Sequence, residues 1–311
     1  MKKFLFKILI FLIPIFLVTF TLTLVVDPYN YFNFFKIIPD SEKINNLPRY
    51  NKYLWTLIEY KNKPGENIIL GDSRSARIDV DYVYKLTGHK YSNLSLEGAN
   101  AATIKSSFFF AANTIKLKRV YIGISFNSFS QKGGDPYNQI IGDKRVDNLI
   151  DKINNPLYFI NDEILKQSAN LVIKHFSRVD IKKAAVLPFN KDNQWNYFLL
   201  NYGDNIFKDF ILSEKYLEDL REITDYCRFH NIYLAFIIFP NHIDLHNKIR
   251  EYGLDATERQ FKTNIRKLGP VYDYDYYNDI TNNKNNYEDP FHSTKLVTDL
   301  LTKEIWSNKL E

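Results

Sequence analysis

Short apolar runs alternate with helix-length stretches along most of this chain, and that alternation decides which folds are open to it. Asn67-Ile68-Ile69-Leu70 has the length and branching of a buried strand and stops at Gly71. Further strands are expected at Tyr91 to Leu96, Arg119 to Ser125, Tyr233 to Phe239 and Val271 to Tyr274. Between and after them, helices are expected from Ser75 to Leu86, Ala101 to Ile115, Ser213 to His230, Ala256 to Leu268 and Ser293 to Trp306. One more, Arg49 to Tyr60, precedes the breaker Lys63-Pro64-Gly65. Strands alternating with helices imply an α/β fold, a three-layer α/β/α arrangement around a mostly parallel sheet. Ligands bind such sheets beyond the carboxyl ends of the strands. The residues to inspect are therefore Gly71-Asp72-Ser73, Glu97-Gly98-Ala99, Phe126-Asn127, Pro240-Asn241-His242 and the loop before His292.

Ahead of this pattern, Ile8 to Val26 run without a charge. At ~1.5 Å per residue, a helix of that length crosses roughly the hydrocarbon core of a bilayer. Lys2, Lys3 and Lys7 lie before the run and Asp27 is the first charge after it. The positive-inside rule then keeps the N-terminus in the cytoplasm and exports the body. A cleaved signal peptide is the competing reading, but Leu24-Val25-Val26-Asp27-Pro28 offers no small-residue cleavage site. The expected organisation is a stub and membrane anchor over 1–26, a connecting region over 27–66, and an α/β domain over 67–309. An insertion at about 131–212 breaks the alternation on the active-edge side of the sheet. The aromatic stretch Asp27-Pro28-Tyr29-Asn30-Tyr31-Phe32 is expected near the membrane interface, where such rings are favoured. The tract Asn282-Asn283-Lys284-Asn285-Asn286 is expected to be a mobile loop.

Composition removes several classes of function. Beyond the three leading lysines the chain carries 38 basic against 36 acidic residues, a balance that argues against nucleic acid as a partner. The single Cys227 rules out an intrachain disulfide and any cysteine zinc cluster, and it reads as a buried, inert thiol. His242 and His246 are spaced like metal ligands on a helix face, with Asp244 between them. No third ligand is visible in sequence, so they read as a satisfied surface pair, with His242 also placed to touch a substrate. His89, His175 and His230 show no partner in sequence. Lys182-Lys183 reads as a solvated face. No metal or organic cofactor is expected.

Ser73 follows a strand and precedes a helix, where a backbone N–H favours negative charge and can bind an oxyanion. The ordinary alternative is that Asp72 or Ser73 only caps that helix. Asp289-Pro290-Phe291-His292 could likewise be a plain helix start, or Asp289 could orient His292 to deprotonate Ser73. Gly98 and Asn127 follow the second and third strands, and with the Ser73 N–H they could supply three oxyanion donors. Ser125 and Ser128 are the alternative donors in the third block.

These blocks resemble the SGNH (GDSL-like) hydrolase and acyltransferase superfamily. The similarity lies in Ile68-Ile69-Leu70-Gly71-Asp72-Ser73, Asn93-Leu94-Ser95-Leu96-Glu97-Gly98-Ala99, Gly123-Ile124-Ser125-Phe126-Asn127 and Asp289-Pro290-Phe291-His292, over roughly 67–128 and 231–306. One block departs: the family's Gly-x-Asn-Asp is here Asn127 followed by Ser128. The resemblance implies a flavodoxin-like sheet, Ser73 as nucleophile, Asp289 and His292 completing a triad, and Ser73, Gly98 and Asn127 as the oxyanion hole. The anchor is similar to that of the membrane-anchored branch, which includes the teichoic-acid D-alanine transfer protein and the alginate O-acetylation proteins. That branch implies transfer or hydrolysis of acyl groups, acetyl first, on a cell-surface polysaccharide or glycopolymer. It further implies membrane lipid around the N-terminal helix and a multi-spanning O-acyltransferase as partner. The alternative is a non-catalytic scaffold or binding protein of the same fold.

Overall fold

The computed structural model describes residues 13–14, 17–47, 49–131, 145–177 and 190–307. They divide into two compact units. One takes in the described residues up to Lys63 and those from Asp147 to residue 177; the other takes in those from Pro64 to Val146 and from Asn190 onward. Residues expected as a connector thus share a unit with part of the expected insertion, and the rest of that insertion belongs with the sheet.

The sheet unit has five strands: β1 (Asn67–Leu70), β2 (Ser92–Asn93), β3 (Arg119–Ile124), β4 (Tyr233–Ile238) and β5 (Val271–Asp273). They pair in the order β2-β1-β3-β4-β5, and every pairing is parallel. This is the 2-1-3-4-5 order of a doubly wound sheet. The inner strands read as continuous apolar runs because helices cover both faces. Successive residues of a strand point to opposite faces. Ile69, Tyr121 and Ala235 are therefore in register on one face. They pack there with Ile78 and with Val83 of the helix Val80–Thr87. Val297, Leu301 and Ile305, one turn apart on the helix Lys295–Ser307, close the same cluster. Helices Ala101–Thr114, Glu214–Phe229 and Asp255–Leu268 pack side by side, the first against β1 and the second against β4.

Local chemistry explains where elements differ from expectation. The helix expected from Ser75 is a single 3₁₀ turn, Ser75–Arg77, and the α-helix begins only at Val80. Asp79 sets that start: its carboxylate accepts from the N–H groups of Asp81 (3.0 Å) and Tyr82 (3.2 Å). The last helix begins at Lys295, not Ser293, because His292–Ser293 (β7) pairs antiparallel with Tyr287–Asp289 (β6). The asparagine tract is a scaffold for that ribbon rather than a loose loop: the Asn286 carbonyl accepts from the Thr294 N–H, and its amide donates to Ile280 O.

In the other unit, the Asp27 carboxylate is buried and accepts N–H groups from Tyr31, Phe32 and Asn33 at 2.7–2.9 Å. Lys43, also buried, donates to the Asp27 carbonyl (3.0 Å) and to Asn30 Oδ1 (2.7 Å). Tyr29 is buried and Tyr31 stacks on Phe159 at 3.8 Å. Tyr29 thus belongs to the unit's own core, Tyr31 and Phe32 are half-buried, and the neighbouring Phe34 and Phe35 are exposed. Of the expected anchor, residues 13–14 and 17–26 are described and helical; the remainder, with Lys2, Lys3 and Lys7, lies outside the described residues. Among the described residues no helix is long and apolar enough to cross a membrane. Lys182-Lys183 also lies outside them.

Gly123 exists for close approach. A Cβ there would lie 1.8 Å from Ser75 Oγ and 2.7 Å from the Phe239 ring. Gly123→Ala should lower stability by about 1–3 kcal/mol, read as a shift of the urea midpoint. Adding Ser75→Ala should recover part of that loss, since the worst contact disappears. A midpoint unmoved by Gly123→Ala would refute this packing.

Candidate active site

The carboxyl edge of the sheet gathers side chains from every strand end. Ser73 sits in the turn after β1, half-buried, and its Oγ lies 2.8 Å from His292 Nε2. His292 Nδ1 faces Asp289 Oδ2 at 2.8 Å and Oδ1 at 3.0 Å. The same Asp289 Oδ1 accepts the backbone N–H groups of Phe291 (2.8 Å) and His292 (3.0 Å). The carboxylate therefore closes the tight turn between β6 and β7 and aims the imidazole at once. The expected helix cap at Asp289 is replaced by this ribbon. With Nδ1 carrying the proton toward Asp289, Nε2 is the acceptor that faces the Ser73 hydroxyl.

Ser73, His292, Gly98 and Asn127 all line one pocket. Gly98 follows β2 in a turn closed by the Ala99 N–H on Leu96 O (2.9 Å), with φ of 71° that disfavours any side chain. Among the described residues no acceptor meets the N–H of Ser73 or of Gly98. Because only a 3₁₀ turn follows Ser73, the expected aid from an α-helix N-terminus is missing there. Asn127 lies in the 3₁₀ turn Phe126–Phe129 after β3. Its Oδ1 accepts from Arg74 Nη2 at 3.2 Å. The alternative donors are engaged elsewhere: Ser125 Oγ donates to Asp72 Oδ2 (3.2 Å) and Ser128 Oγ donates to Ser125 O (2.8 Å). Phe198, Tyr202, Ile206, Tyr216 and Phe291 form the apolar walls, and the cavity holds about 130 Å³.

Sequence reasoning missed what lies beneath this pocket. Arg74 is 5% exposed and pairs with buried Asp72 at 2.6 Å. Burial alone would lift the Asp72 carboxyl, but the adjacent guanidinium outweighs it and holds the acid below its usual range. Arg74 Nη1 donates to Asn241 Oδ1 (3.1 Å), after β4. Asn241 in turn donates its backbone and side-chain N–H groups to Asp275, after β5, at 2.8 and 3.1 Å. The strand-end rule selects Asn241, and Arg74 adjoins Ser73 in sequence, so both signals were present.

His242 and His246 are not a surface pair. His242 is buried, caps the helix Ile243–Glu251 through Nδ1, and packs against Trp195 and Tyr287. His246 Nε2 lies 3.0 Å from Asp275 Oδ1, and its Nδ1 lies 3.8 Å from Glu258 Oε1. These three groups could together face a cation. Lys262 Nζ, 3.9 Å from Glu258, already supplies positive charge to that cluster. His175 meets Glu42 at 2.8 Å, and His230 packs on Tyr226. Cys227 is buried and its thiol is pushed up to about 12 by desolvation.

No family model matches the chain, and no curated protein matches it.

The His246 cluster gives a pH dependence with a definite sign. Burial opposes its charge, but Asp275 and Glu258 outweigh burial and raise the imidazole above its ordinary 6.5. Its contribution is complete below 6.5 and is lost as pH rises through the higher folded value. His242, lowered by desolvation, acts in the opposite sense and below 6.5. Urea midpoints of the wild type should therefore decline between pH 6.5 and about 8, below the range where the buried Cys227 thiol adds its own loss, and His246→Asn should remove that decline. A decline that persists in His246→Asn would refute the linkage.

Proposed function

We propose that this chain is an exported, membrane-anchored serine O-acyltransferase or esterase of the SGNH type. Its substrates are short acyl groups, acetyl first, on a cell-surface polysaccharide or glycopolymer. The observation that carries the reading is the line Ser73 Oγ, His292 Nε2, His292 Nδ1, Asp289, with contacts of 2.8 Å at each end. That line does what nucleophilic acyl transfer demands of protein groups. Ser73 attacks the ester carbonyl while His292 takes its proton, and Asp289 stabilises the imidazolium. The N–H groups of Ser73 and Gly98 and the Asn127 amide receive the oxyanion. His292 then returns the proton to the departing alcohol. The acyl group passes from Ser73 to water or to a sugar hydroxyl, with His292 again as base.

The pocket supports a short acyl group. Its volume of about 130 Å³ is close to that of a ~150 Å³ cavity that admits benzene. The walls from Phe198, Ile206 and Phe291 suit a neutral group. The charge pattern at Lys2, Lys3 and Lys7, before the uncharged run, supports the anchor and its orientation. A multi-spanning O-acyltransferase that hands over the acyl group is the partner this architecture suits.

A fluorophosphonate probe should label the wild type at Ser73 and leave Ser73→Ala unlabelled. His292→Ala should slow labelling without unfolding. Failure of the wild type to label would remove the catalytic reading and favour a binding role. Asn127→Ala should lower kcat about 10²- to 10³-fold with KM nearly unchanged. It should also cost about 1 kcal/mol of stability, because it strips Arg74 of one acceptor. A C-terminal reporter should be active outside the cytoplasm, and the protein should resist carbonate extraction; a shortened soluble product would show cleavage instead.

A further inference from the structure

The oxyanion donor in the third block is an amide, and an amide works only one way round. Its oxygen side repels the developing negative charge and its NH₂ side attracts it. A primary amide rotates between these faces unless a neighbour selects one. The neighbour here is Arg74, which carries only N–H donors and no acceptor. Its Nη2 lies 3.2 Å from Asn127 Oδ1. Turning the amide over would set its NH₂ against the guanidinium, donor against donor. The pairing therefore commits Oδ1 to Arg74 and frees the NH₂ edge for the pocket that Asn127 and Ser73 share. Among the described residues, Asn127 Nδ2 donates to none.

Arg74 is itself held on its other sides. Its Nε and Nη2 reach both oxygens of Asp72 at 2.6–3.3 Å, Nη1 reaches Asn241, and Nη2 also meets Ser125 Oγ. Asp72 closes the turn of the nucleophile from below: its Oδ1 accepts the Arg74 N–H at 2.9 Å, and its carbonyl accepts the Ala76 N–H at 3.0 Å. We propose that Arg74 is a positioning residue of the oxyanion hole. It fixes the rotamer sense of the Asn127 amide and ties that amide to the turn that carries Ser73. The inference rests on the serine-acyl reading of the site and adds a residue to it.

The test uses the full chain in detergent, with p-nitrophenyl acetate as substrate. Arg74→Lys keeps a cation for Asp72 but cannot span Asp72 and Asn127 together. It should lower kcat about 10²-fold with KM changed by less than about 3-fold. In an Asn127→Ala background the same substitution should change kcat by less than about 3-fold, because the residue it positions is gone. Asn127→Asp leaves Arg74 its acceptor and removes the donor. It should lose as much kcat as Asn127→Ala yet unfold at a higher urea concentration. Independent, multiplicative losses from Arg74→Lys and Asn127→Ala would overturn the inference. So would an Asn127→Asp protein less stable than Asn127→Ala, and that arm decides alone if Arg74→Lys does not fold. Fluorophosphonate labelling of the wild type separates the two levels. Labelling without the coupling sinks only the role of Arg74, whereas no labelling and no hydrolysis sink both.

Discussion

A guanidinium 5% exposed, in the floor of a pocket, is the constraint around which the sheet's carboxyl edge is organised. Each of its N–H groups must find an acceptor, because a buried donor left alone costs about 1–3 kcal/mol and a buried unpaired charge more. Arg74 finds them on Asp72 after β1, on Ser125 and Asn127 after β3, and on Asn241 after β4. Asn241 passes the demand to Asp275 after β5, whose carboxylate meets it and also faces His246 Nε2 at 3.0 Å. One charge thereby ties four strand ends into a single polar layer. Ser73, Gly98, Asn127 and His292 line the pocket above that layer, and their geometry is inherited from it.

The layer also shows why parallel topology suits such a site. In the order β2-β1-β3-β4-β5, all five strands run the same way, so all five carboxyl ends reach the same edge. Ser73, Gly98 and Asn127 arrive from three neighbouring strands without any loop having to fold back. Only His292 comes from outside the sheet. It is delivered by the ribbon of β6 and β7, in which one carboxylate both makes the turn and aims the ring.

Much of this was legible in the residues. Buried apolar runs ending at Gly71 and before Asn127 marked two strands and their exits, and Asp289 with His292 stood out by spacing. The strand between them in sequence, β2, proved to be only Ser92–Asn93 of the expected Tyr91 to Leu96. What was not legible depended on competition between local signals. Ser75 to Leu86 is composed like one helix, but Asp79 caps more strongly than the residues before it, so the helix starts late. Asp289-Pro290 looks like a helix start, and only pairing with Tyr287 turns it into a ribbon. Arg74 reads on paper as a surface charge, since its acceptors lie 51, 53 and 167 positions away. Lys43 is the same case in the other unit: buried, and satisfied by Asp27 and Asn30. Buried polar partners distant in sequence leave no periodic trace, and that is where sequence reasoning stopped.

Ser73 and His292 are 219 positions apart. Synthesis delivers the chain N-terminus first, so β1 and its serine exist long before the ribbon that bears the imidazole. Until that ribbon docks, the Ser73 hydroxyl lacks its imidazole partner. The chain thus carries a chronological lock. On the acyl-transfer reading proposed above, Ser73 gains its base only when the ribbon of β6 and β7 is in place, and a half-folded copy without that ribbon stays chemically silent.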